Sequence, residues 1–291
     1  MHRWIENKPL AAWMLLSVSL CAPLVASAQE RPYFVTYSHA LEEPGNAEVA
    51  IKSIAGAPAG SGTFGSATFE GEYGVTGWWT SELYLSGQKT ADDSTVFTGF
   101  RLENRVRPLL QEHWINPVLY VEFEDINGAD KSLLEVVGHD GVGDLAGSNA
   151  INRSEKKREV ELKLLLSRNW RGWNFAQNTI FEKNLSNQPW EFGYAVGASR
   201  PLRLSASAAR CALCLERFAG GLEMYGGLGN RPNPGLHDTS HYLSPNLQWE
   251  TPRGTTITLG PSFGLNSNSA GVLGRMKVSY ELSQVFRRGE R

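Results

Sequence analysis

Apolar and polar residues alternate one for one through much of this chain. Ala67-Thr68-Phe69-Glu70-Gly71-Glu72-Tyr73, Val118-Leu119-Tyr120-Val121-Glu122-Phe123-Glu124 and Val160-Glu161-Leu162-Lys163-Leu164 show it most clearly. A period of two sorts side chains onto the two faces of a β-strand, and here one face is apolar while the other is charged. On this pattern strands are expected near 46–54, 66–75, 78–86, 95–106, 114–125, 157–169, 172–183, 189–199, 215–227, 241–250, 254–264 and 271–282. Many connections are tight (Thr76-Gly77, Arg171-Gly172, Thr251 to Arg253), and those between them are longer (55–65, 126–156, 228–240). A transmembrane barrel with short periplasmic turns and longer external loops has this rhythm. The expected fold is all-β: one antiparallel transmembrane β-barrel of about 12 strands, with about 14 as the alternative. Two segments keep the alternative open. Tyr33 to His39 reads as a strand followed by a Glu43-Pro44-Gly45 turn, which either pairs with the barrel or enters its lumen as a plug. Residues 132–138 can add a short external strand.

A soluble β-sandwich shows the same alternation, so the tryptophans matter. Trp78, Trp79, Trp114, Trp170, Trp173 and Trp249 flank turns that the loop rhythm assigns to one side. Indoles concentrate at the membrane–water boundary, and these six are expected to form one periplasmic ring. Past the leader no apolar run is long enough for a spanning helix, so any span is made of strands.

Residues 1–28 read as a secretory signal peptide. Arg3 and Lys8 precede a mostly apolar stretch from Leu10 to Leu24, and Ala26-Ser27-Ala28 supplies the small-residue cleavage pattern. Residues 29–291 then form a single barrel domain with 26 basic and 29 acidic side chains, a formal charge of −3. That is no electrostatic footprint for nucleic acid. The partners expected instead are outer-membrane lipid, the barrel assembly machinery and a small solute. Val272 to Leu282 alternates cleanly, and Phe286 resembles the terminal aromatic that the assembly machinery reads, although Arg287 to Arg291 follow it. Cys211 and Cys214 can close a small disulfide loop in an exported chain; a redox role needs a thioredoxin-like βαβ context that is absent.

Glu72-Tyr73-Gly74-Val75-Thr76-Gly77-Trp78-Trp79 resembles the Glu-x-Gly-x-Thr-x-x-Trp hairpin of poorly characterised outer-membrane barrels, among them transporters and proteins of the phenol-degradation meta pathway. Ser244-Pro245-Asn246-Leu247-Gln248-Trp249-Glu250 and Gly260-Pro261-Ser262-Phe263-Gly264 are similar to their late strands. The resemblance implies a barrel and transport, and it carries over no catalytic residue.

The polar face holds the candidate chemistry. Glu70, Glu72, Glu82, Arg101, Glu103, Arg105, Glu122, Glu124, Glu159, Glu161, Lys163, Arg275, Lys277 and Glu281 occupy alternating positions. A basic side chain facing lipid at the midplane costs about 2–4 kcal/mol, so these residues are expected to line the lumen. They form either the wall of a selective pore or a closed lumen cross-linked by carboxylate–guanidinium pairs. Their signs nearly balance, which predicts weak ion preference. Arg101, Glu103 and Arg105 are expected to contact Glu122 or Glu124 on the next strand.

Two other classes compete. A membrane-embedded lipid hydrolase needs a serine with a histidine base, for which Ser240 or Ser244 with His241, or Ser38 with His39, are candidates. Loop residues His139-Asp140 and His237-Asp238 with His241 are possible ligands of a divalent ion, although their spacing does not hold them on one face. The expected function is an outer-membrane channel or transporter for small solutes, with a hydrolase or a closed structural barrel as alternatives. No cofactor, metal site or catalytic residue is assigned.

Overall fold

The computed structural model describes residues 31–205 and 211–285. Residues 1–28, expected to be a signal peptide, and Phe286 with the arginines after it lie outside the described residues. Twelve antiparallel strands form one closed barrel in which each strand pairs with its sequence neighbours and β1 pairs with β12. They are β1 (Ala47–Gly56), β2 (Phe64–Thr76), β3 (Trp79–Thr90), β4 (Thr95–Val106), β5 (Asn116–Asn127), β6 (Lys156–Trp170), β7 (Trp173–Asn184), β8 (Trp190–Pro201), β9 (Phe218–Asn230), β10 (His241–Glu250), β11 (Thr255–Gly264) and β12 (Val272–Leu282). Closure leaves no sheet edge. Two short helices, α1 (Val142–Ala146) and α2 (Asn149–Asn152), lie in the β5–β6 loop.

The faces are inverted relative to a soluble protein. Phe69, Leu83, Leu85, Leu102, Leu119, Val121, Phe175, Leu222, Leu247 and Leu259 are exposed, while the charged residues between them are buried. An outer surface of this kind suits a bilayer's hydrocarbon layer. All six turn-flanking tryptophans sit at the rim where β1 begins and β12 ends, here called the near rim. Trp78, Trp114, Trp170 and Trp173 are exposed there, and Trp78 stacks on Trp79. The near-rim connection after β8 carries the Cys211–Cys214 disulfide.

Neither extra strand forms. Residues 31–46 run inside the barrel from the near rim, and 132–138 makes only a single bridge, Gly138 to Gly229. Both segments fill the lumen. Phe34 and Val35 from the first meet Val136 from the second and Leu145 of α1 in one apolar cluster, walled by Ile54, Phe64, Tyr225, Tyr242 and Leu273.

Candidate functional site: a charged lumen closed from both rims

Strand register arranges the glutamates. Reading across directly paired residues from β12 to β8 gives Glu281, Glu48, Glu72, Glu82, Glu103, Glu122, Glu161, Glu182 and Glu191 without interruption. Tilted strands in a barrel are staggered, so a line of paired residues winds along the axis. Glu281 and Glu48 lie at the near rim, Glu122 near the middle of its strand, and Glu191 at the far rim. The line is therefore a ramp from one mouth of the barrel to the other.

Like charges directly opposite one another are destabilising, and neighbouring inward rows supply cations. Lys277 Nζ lies 3.1 Å from Glu48 Oε1 and 3.2 Å from Glu70 Oε1, and Lys52 also pairs with Glu70. Arg105 bridges Glu72 at 2.7 Å, Glu103 at 2.9 Å and Glu82. Arg101 Nε meets Glu124 at 2.6 Å and Glu122 at 3.8 Å, while its Nη2 reaches Asp130 at 2.9 Å. Lys163 Nζ holds Glu161 at 2.7 Å and Glu135 at 3.4 Å. Arg101 thus contacts the carboxylates expected of it. Arg105 instead turns back to β2 and β3, because Tyr120 occupies the position opposite it on β5.

Of the sequence-derived candidates, Glu70, Glu72, Glu82, Arg101, Glu103, Arg105, Glu122, Glu124, Glu159, Glu161, Lys163, Arg275 and Lys277 are buried inside the barrel. Glu281 is half-buried at the near rim, where it accepts a 2.7 Å bond from Asn46 Nδ2. The structure adds Glu48, Glu182 and Glu223, which the same alternation places inward, and Glu135 and Asp130, which arrive on a loop.

The near-rim segment is tied down by polar side chains of the wall. Glu223 accepts the backbone N–H groups of Phe34, Val35 and Thr36 at 2.8, 3.1 and 2.9 Å, and it is itself braced by Asn246 Nδ2 at 3.0 Å. Asn178 clamps Tyr37 by donating to its carbonyl and accepting from its N–H. Tyr37 Oη donates to Glu103 at 3.2 Å, and the buried phenol is pushed well above its usual range by burial and by Glu103. Glycines on the wall make the room. An added Cβ at Gly197 would strike Tyr33, and one at Gly221 would strike Pro32.

The far half is closed by the β5–β6 loop. Arg275 Nη2 donates to Leu133 O at 2.9 Å, and Lys131 Nζ donates to Gly147 O and Thr90 Oγ1. Asn149, fully buried, joins α2 to β3 through Gln88 and to the β3–β4 turn through Ser94 O. Between this loop and the β4–β8 wall lies a cavity of about 110 Å³, lined by Glu124, Glu135, Asp140, Asp144, Glu159, Glu182 and Glu191 against Arg101 and Lys157. Burial, reinforced by the like charge of Asp144, pushes Asp140 up to about 7, although Lys157 works in the opposite direction.

The expected serine–histidine pairs do not form. Ser240 Oγ donates to Asp140 O and Asn268 O, and Ser244 Oγ bonds Asn246, Pro261 O and Ser262. His241 instead contacts Tyr194 and Thr239. Ser38 accepts the Ala40 N–H. His39 finds a partner the sequence did not suggest: its Nδ1 meets Ser167 Oγ, and its Nε2 lies 3.0 Å from Glu112. Ser167 also accepts the His39 backbone N–H at 2.7 Å, so this group fastens the luminal segment to β6. Burial lowers the His39 pKa against the pull of Glu112. Among the loop histidines, His139 bonds Asp238 O and the exposed His237 lies 3.4 Å from Asp238, so they do not converge with His241 as a ligand set.

No family model matches this sequence, and no curated protein matches it. Its fold is similar to that of solved bacterial outer-membrane barrels. An outer-membrane channel from Pseudomonas putida F1 superposes with a TM-score of 0.54 at 11% identity, covering 84% of this chain and 97% of the other. LpxR from Salmonella typhimurium gives 0.41 at 11% identity over 80% of this chain and 99% of its own. OprD from Pseudomonas aeruginosa gives 0.35 at 11% identity over 85% and 69%. This chain shares the fold of outer-membrane barrels.

Proposed function

We propose that this protein is an outer-membrane channel or transporter for small solutes, described here in its closed state, and that its path runs along the glutamate ramp. The carrying observation is the ramp itself: nine strands in succession place paired glutamates from one rim to the other. A barrel that needed only stability would be better served by apolar packing than by buried ion pairs. The apolar outer belt and the six tryptophans gathered at the near rim support a place in the outer membrane. Two luminal segments act as closures, the 31–46 segment at the near rim and the β5–β6 loop at the far rim. Charge favours positively charged solutes. Among the described residues twelve buried glutamates face six buried lysines and arginines, so the near balance read from the sequence gives way to an acidic interior. Liposomes carrying the purified protein should admit small cationic solutes faster than anionic ones of equal size. Equal rates, or none above protein-free liposomes, would count against this reading.

The Ser167–His39–Glu112 arrangement is the one observation that favours a hydrolase. Its hydroxyl is buried and already engaged by the His39 backbone. The channel reading predicts no ester hydrolysis by the purified protein. Hydrolysis abolished by Ser167→Ala would support the enzyme instead.

A further inference from the structure

The glutamate ramp loses its cations towards the far rim. Glu161 still has Lys163, but the side-chain carboxylate of the next residue, Glu182 on β7, has no hydrogen bond or ion pair among the described residues although Glu182 is only 6% exposed. One carboxylate oxygen each from Glu182, Glu124 on β5 and Glu135 on the β5–β6 loop lie within 4.8 Å of one another. Glu124 gives Oε2 to Arg101 and keeps a buried Oε1 with no hydrogen-bond partner. All three residues line the 110 Å³ cavity, which has room for several water molecules. Two of the three carboxylates are partly compensated: Arg101 Nε lies 2.6 Å from Glu124 Oε2, and Lys163 Nζ, held more closely by Glu161 at 2.7 Å, reaches Glu135 Oε2 at 3.4 Å, while Lys157 lines the same cavity.

We infer that Glu124, Glu135 and Glu182 form a binding site for a hard divalent cation, calcium by its coordination chemistry. Oxygens bound to one calcium at about 2.4 Å lie at most about 4.8 Å apart, and calcium accepts carboxylates and waters in flexible geometry. An all-oxygen set of this kind does not suit softer metals. The ion would neutralise Glu182, the ramp carboxylate without a basic partner among the described residues, together with the free oxygen of Glu124. It would also join three separate elements, two wall strands and the loop that closes the far half of the lumen. Calcium is thus a clasp holding that loop inward. The site needs no helix terminus or loop motif, which explains why local sequence spacing does not reveal it: its ligands come from positions 124, 135 and 182 and meet only when β5, β7 and the loop converge.

The test is calorimetric titration of calcium chloride into the full-length protein, folded in detergent and stripped with EDTA. It reads binding and not conduction, so its outcome stands apart from the channel proposal. One calcium per chain should bind saturably and raise the unfolding temperature by several degrees. Glu182→Gln and Glu135→Gln keep side-chain shape while removing charge, and each should weaken binding at least tenfold. In EDTA, Glu182→Gln should unfold at a higher temperature than the wild type, since the repulsion it relieves is then uncompensated; this readout also shows that the variant folds. Glu112→Gln at the near rim should bind calcium as the wild type does. Absence of saturable binding, or binding retained in both Glu182→Gln and Glu135→Gln, would overturn the site.

Discussion

Arg105 shows how single residues hold the lumen. Its guanidinium touches carboxylates of β2, β3 and its own strand, and all four side chains are buried. Removing one member of a buried ionic cluster strands the others without compensation, which typically costs about 3–5 kcal/mol. Arg105→Ala should lower barrel stability by that order in urea titrations followed by gel mobility. The exposed Arg158–Asp125 pair, at 3.1 Å, is the control; Arg158→Ala should cost about 0–1 kcal/mol. Equal effects would show that the luminal network contributes no more than a surface pair. The alternation made the inward position of these residues legible, since charge cannot face lipid cheaply. The partners were less legible. A strand pattern gives a face but not a register, so it could not show that Arg105 turns to Glu72 and Glu82 and leaves Glu122 to Arg101.

At the scale of elements, all twelve expected strands form within a few residues of their observed bounds, because alternation and turn chemistry are both local signals. The two luminal segments were harder. Tyr33 to His39 has a strand's alternation, yet its backbone is satisfied by the side chains of Glu223, Asn178 and Ser167, and a ladder partner is not needed. Such satisfaction depends on residues more than a hundred positions away. The glycines of β8 and β9 were the available signal, since glycine within a strand often marks close approach of another backbone. Gly193 and Gly227 receive the β5–β6 loop, where an added Cβ would strike Val136 O and Gly138 O. That loop also carries a pH dependence. With its folded-state pKa raised to about 7, Asp140 contributes stability that is fully present below the unfolded carboxylate value, near 4, and is lost as pH rises through about 7. In EDTA, amides of the loop should therefore exchange more slowly at pH 6 than at pH 8, after correction for intrinsic rates. Asp140→Asn should remove the difference, and a difference that persists in this variant would assign it to other groups.

For the whole molecule, the central claim is that a charged path exists behind two closures. Glu223 is the wall side chain that binds most of the near-rim segment's backbone, since three consecutive backbone N–H groups converge on its carboxylate. Glu223→Ala should loosen the luminal segment at residues 34–36 while leaving the barrel wall intact, because the strands close through their own ladders. Planar-bilayer recording under a potassium chloride gradient compares the two proteins most directly. The account predicts small or rare openings in the wild type, larger and more frequent ones in Glu223→Ala, and a reversal potential on the cation side in both. A barrel that conducts in neither form, or one whose openings prefer anions, would contradict it.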